Sequence, residues 1–101
     1  MDTDDLSRET YQAILIEAEK FNHDLTLRFG VLAGQCKDEH EYIDKSIKVI
    51  NYLRKGDMKF LSDIFFGDVP DLKALNSALD KISNNISKVQ AIPIDKRHLD
   101  F

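Results

Sequence analysis

Between residues 72 and 89 the apolar side chains Leu72, Leu75, Leu79, Ile82, Ile86 and Val89 recur at alternating intervals of three and four, with Lys, Asp, Asn and Ser between them. That period gathers the apolar groups on one side of a helix and does not suit a strand, whose side chains alternate with a period of two. The spacing predicts a helix over 70–90, with Pro70 in a first turn where its missing amide hydrogen has no partner to lose. A helix with one apolar stripe has to bury it, so the rest of the chain must supply the opposing surfaces.

The remaining segments carry the same kind of signal. Asp38 is a capping residue with Glu41 in the first turn, and Tyr42, Ile43, Ile47, Val49, Ile50 and Leu53 follow before a stop at Gly56, which predicts a helix over 39–55. Asp57 caps a short helix over 58–66 through Met58, Leu61, Ile64 and Phe65, closed by Gly67. Only four Gly and two Pro in 101 residues leave little material for the turns of an all-β fold. The expected fold is all-α: one domain, a small four-helix antiparallel bundle with an extended tail over 91–101. Ile92, Ile94, Leu99 and Phe101 make that tail too apolar for a purely disordered end, so it is expected to dock.

The first helix is the unusual one. From a cap at Ser7, the side chains Tyr11, Ile14, Ala18, Phe21, Leu25, Phe29, Leu32 and Cys36 keep helical spacing and predict one long helix over 7–36. A second apolar row, Ile16, Leu27 and Val31, lies roughly 200° around from the first at about 100° per residue. Gly30 and Gly34 predict tight packing, a kink or an early end near Gly30, since each costs about 1 kcal/mol against Ala in a helix interior. A helix apolar on two flanks is sandwiched within its own fold or between two copies. At about 1.5 Å per residue it would run roughly 45 Å and outreach its partners, so its overhang calls for cover by the third helix and by self-association.

Function classes follow by exclusion. A net charge of -4, from 14 Lys and Arg against 18 Asp and Glu, argues against general affinity for nucleic acid or anionic membrane. One cysteine, Cys36, forms no intrachain disulfide and points to a reducing, cytoplasmic setting. The start Met1-Asp2-Thr3-Asp4-Asp5 has none of the basic and apolar regions of a secretory signal. No stretch is long and apolar enough to cross a bilayer. No catalytic motif, nucleotide-binding glycine pattern or metal-ligand spacing stands out, so no cofactor is expected and the chain is read as a non-enzyme. Glu19 and His23 lack the paired Glu-x-x-His elements of a di-iron bundle, and Lys96, Arg97 and His98 read as a solvated basic turn.

What remains is a small cytoplasmic helical protein that works through contacts with protein, including its own copy. The contact residues expected are Ile16, Leu27 and Val31 on the second row, with Phe66 beside Gly67 as an aromatic anchor. The alternative is a nucleic-acid accessory protein. Lys45, Lys48, Tyr52 and Lys55 share one face of the helix over 39–55 and form a basic stripe that suits phosphate, although an amphipathic helix needs a solvated face in any case.

Overall fold

The computed structural model describes Met1 and residues 3–98. Among these residues there is no strand, and the helical segments form five rods. The first rod is built from α1 (Arg8–Tyr11), a π-helical turn (Gln12–Ile16) and α2 (Glu17–Phe21). It is followed by α3 (His23–Gln35), α4 (Glu39–Arg54), α5 (Met58–Ile64) and α6 (Leu72–Gln90). Short 3-10 turns at Thr3–Asp5 and Ile94–Lys96 flank them.

The all-α class is as expected, but the single long helix over 7–36 is not. The chain breaks at Asn22, whose backbone is fully extended at φ -163° and ψ 167°. Its amide still donates to the Ala18 carbonyl at 3.1 Å, closing α2, while its side-chain oxygen accepts from the Leu25 amide at 2.9 Å and opens α3. One residue thus ends one helix and caps the next. An unbroken rod of roughly 45 Å would also exceed the longest dimension of the molecule, 39 Å. Gly30, where the break was expected, lies inside α3. A methyl group added there or at Gly34 would meet nothing within 4 Å, so neither glycine marks close packing.

The π-helical turn has a packing cause. Ala13, Ile14 and Leu15 are three successive residues and all are buried, as are Thr10 and Ala18 on either side. A regular turn aims three consecutive side chains across about 200°, whereas the wider π turn keeps more of its circumference against the core.

The first rod packs on α6, α4 packs against both α3 and α6, and α5 covers part of α3. Leu25, Phe29, Tyr42, Ile50, Leu61, Leu79 and Ile82 fill the shared core. The Tyr42 hydroxyl donates to the Phe29 carbonyl at 3.1 Å, which stitches α4 to α3. Side-chain caps open the later helices: Asp38 accepts from the Glu41 amide, Asp57 from Lys59 and Phe60, and Asp71 from Ala74. The last of these sets the start of α6 at Leu72 rather than 70, leaving Pro70 outside it.

The tail docks, though by its polar residues. Ile92 is half-buried and Ile94 exposed, whereas the expected contacts of Leu99 and Phe101 lie outside the described residues. The Arg8 amide donates to the His98 carbonyl at 2.7 Å, and the His98 amide to Glu9 at 3.0 Å. Arg97 reaches inward to Glu39. Of the basic turn read as solvated, Arg97 and His98 are held, while the Lys96 side chain is exposed.

Candidate functional site

The expected contact residues separate into two places. Leu27 and Val31 sit one turn apart on α3 with exposures of 43% and 48%, so the chain does not enclose the second apolar row on its own, as a sandwiched helix would require. Phe66, 73% exposed, stands beside them. Together with Phe60 and Ile64 of the α5 region they line one shallow dish of about 290 Å³. Asp24, Arg28 and Asp63 form its charged rim. Ile16 is not part of it: the break at Asn22 leaves Ile16 half-buried in a different groove, beside α6.

The dish is built by two local devices. The turn of α3 that carries Leu27 and Val31 has its other side, Leu25, Phe29 and Leu32, in the core, so the second row has to face outward. After α5, Phe66 takes a left-handed backbone at φ 52°, followed by Gly67 at φ 84°. The left-handed region disfavours bulky side chains, and an exposed aromatic gains no burial there to offset the strain within this chain. Phe65, one residue earlier, is fully buried, and the turn is closed by the Gly67 amide donating to the Ser62 carbonyl at 2.8 Å and the Asp68 amide to the Phe65 carbonyl at 2.9 Å. Leu27, Val31 and Phe66, singled out in the sequence, line the dish together, whereas Phe60 and the charged rim were not singled out. Cover of the overhang by the third helix was expected, but helical periodicity alone does not say which α5 side chains meet the second row.

The basic stripe is a separate face of α4. Lys45, Lys48, Tyr52 and Lys55 are all exposed and share one side of the helix. Tyr52 is already engaged: its ring meets Phe60 edge-on with centroids 4.4 Å apart, and the Lys55 ammonium lies 5.0 Å from its centre. Arg54, part of the same cationic stretch, is drawn off to Asp80 at 2.7 Å and Ser83 at 3.3 Å.

Two acid–base clusters at the other end went unforeseen. The Glu39 carboxylate, buried at the start of α4, accepts from the Ser7 amide at 2.8 Å, from the Ser7 hydroxyl and from Arg97 Nη1 at 2.9 Å. Burial alone would raise the Glu39 carboxyl. The Ser7 hydroxyl and amide, the Arg97 guanidinium and the Thr10 hydroxyl outweigh it and hold the group below its ordinary value. Nearby, His98 Nδ1 lies 2.6 Å from Glu9 Oε1, and hydrogen bonds from the His98 ring and amide lower Glu9 to about 2. These clusters join the amino-terminal turn, α4 and the tail. Glu9 also borders an open groove between the first rod and α6.

Cys36 is buried, and burial, with Glu41 nearby, pushes its thiol up, away from the reactive thiolate. His40 is exposed, 3.4 Å from Asp44. No group of three potential metal ligands occurs among the described residues, and no helix of the described chain is long and apolar enough to cross a membrane.

Fold and surface define a small all-helical domain that presents a strained aromatic over an open apolar dish. Comparison with known proteins finds no matching family model, no matching curated protein and no matching solved structure.

Proposed function

We propose that this protein acts through protein–protein contacts and that the face formed by Leu27, Val31 and Phe66 pairs with the same face of a second copy. The observation that carries the reading is Phe66, a large aromatic held in left-handed backbone and turned to solvent at the edge of an apolar dish. Strain of this kind costs on the order of 1–3 kcal/mol and persists where something gains from it. Burial of the ring against a partner supplies such a gain.

A second copy is favoured over an unlike partner by the rim. It carries both signs, Arg28 beside Asp24 and Asp63. In a two-fold interface each residue i meets j while j meets i, so an axis that sets Arg28 against Asp24 or Asp63 satisfies both copies at once. Non-catalytic work in the cytoplasm completes the reading, supported by a lone cysteine that is buried, its thiol pushed up by that burial. Light scattering over a rising concentration series tests it: the mass climbs toward twice that of the chain, and a constant single-chain mass at millimolar concentration contradicts self-pairing.

The second reading, phosphate contact by Lys45, Lys48 and Lys55, is supported by their exposure on one side of α4. The engagement of Tyr52 by Phe60 and Lys55 counts against its use as a stacking platform for bases. This reading requires single-stranded oligonucleotide binding at low salt that weakens steeply as salt rises and is lost when the three lysines are replaced by Ala.

A further inference from the structure

A separate surface runs along the seam between the first rod and α6. On α6, Ala74, Ala78, Lys81, Asn85 and Lys88 follow one another at intervals of three or four, and Ile92 continues the row just past the helix end. The opposing wall is the π-helical turn. Gln12, Ala13 and Ile16 face Asn85, Lys88 and Val89 across a groove of about 610 Å³. Further along, Phe21 faces Ala74 and Ala78 across a narrower stretch of about 170 Å³. Glu17 and Lys20 border both stretches, so the two adjoin at that ion pair, and the rods that form them run in opposite directions. From Ala74 to Ala78 and on to Lys88, α6 rises about 21 Å at about 1.5 Å per residue, roughly four helical turns.

The charges along the groove are unequal in use. Glu9 is taken by His98, and Glu17 lies 3.5 Å from Lys20. Lys81 and Lys88 take part in no ion pair among the described residues. They stand seven residues apart, about 10.5 Å along α6, on the same side. Alanines on both walls let another backbone come close, and the concave shape suits a rod better than a flat bilayer.

We propose that this groove receives an amphipathic helix of a partner protein, about four turns long, whose apolar stripe lies over Ile16 and Ile92 and whose carboxylates, two turns apart, meet Lys81 and Lys88. This site is independent of the face around Leu27.

A labelled synthetic helical peptide of 18 residues tests the proposal, with a Leu and Ile stripe and Glu at positions seven apart, alongside a control peptide with Lys at those positions. Fluorescence anisotropy with the full chain is expected to show the Glu peptide binding and the Lys peptide not. The double variant Lys81→Glu with Lys88→Glu, checked for native helicity by circular dichroism, should weaken the Glu peptide by at least about tenfold and take up the Lys peptide instead. Leu27→Glu should leave binding unchanged, which separates this site from the self-pairing face. Absence of binding, equal binding of the two peptides, or binding indifferent to the two lysines would overturn it. So would phosphatidylglycerol vesicles binding through the same lysines while the Glu peptide does not.

Discussion

Arg97 and Glu39 lie 58 residues apart in sequence and 2.9 Å apart in space, with side-chain exposures of 9% and 6%. Arg97 also donates through Nε to the Ile92 carbonyl at 3.1 Å, so the guanidinium pins the tail to itself as well as to the start of α4. Removing one partner of a buried pair strands the other charge, at a cost of about 3–5 kcal/mol. Arg97→Ala should therefore destabilise the domain by about 3 kcal/mol, read as a lower urea midpoint with an unchanged slope. Glu39→Gln should cost about as much, because it strands the Arg97 charge and sets an amide nitrogen where one of the two accepting oxygens stood. Equal stability of Arg97→Ala and wild type would show that the pair is not closed in solution.

Acid should loosen the same end. Glu9 falls to about 2 and Glu39 also lies below the ordinary 4.5, so the folded chain binds these protons less readily than the unfolded chain does. Their stabilising contribution is then complete above about pH 4.5 and drains away as pH falls toward about 2. Urea midpoints measured from pH 6 to pH 2.5 should fall with decreasing pH, and His98→Ala should flatten the slope by returning Glu9 toward its ordinary range. A slope unaffected by His98→Ala would mean that His98 does not hold Glu9.

At Asn22 the side chain caps α3 while the backbone closes α2. Asn22→Ala should cost about 1 kcal/mol, the usual worth of an amino-terminal cap. Thermal melts followed by circular dichroism measure this, and an unchanged melting temperature would show that the extended backbone is held by tertiary packing alone.

Gly30 sits within α3 at a helical position with room for a methyl group. Gly30→Ala should raise stability by about 0.5–1 kcal/mol, mainly by reducing the freedom of the unfolded chain. A loss of stability in chemical denaturation would instead point to a packing or bending role for this glycine.

Helix α4 was legible because period and cap agreed at Asp38, whereas α6 was legible by its period alone, its start having been expected at 70 rather than after the cap Asp71. The break at Asn22 was hidden because the apolar row Ala18, Phe21, Leu25, Phe29 keeps its spacing across it: two helices joined by a single extended residue can preserve a three-four rhythm. Asn22 is of a residue type that caps helices, with Asp24 in the first turn that follows, but the unbroken rhythm conceals it. Leu27 and Val31 stood out as surplus apolar residues because α3 already had a complete core face. The partners of Phe66 in the dish, and the pairing of Arg97 with Glu39, depend on which ends of the fold meet, and local spacing holds no record of that.

The central claim is that the dish bounded by Leu27, Val31 and Phe66 is where two copies meet. Leu27 is nearly half exposed, so Leu27→Glu should leave the fold of a single chain intact while placing a like charge opposite itself across a two-fold axis. Sedimentation equilibrium of wild type and Leu27→Glu at matched concentrations tests this most directly. The account predicts a dimer for wild type and a folded monomer for the variant; a folded Leu27→Glu that dimerises as tightly as wild type, or a wild type that stays monomeric, would contradict it.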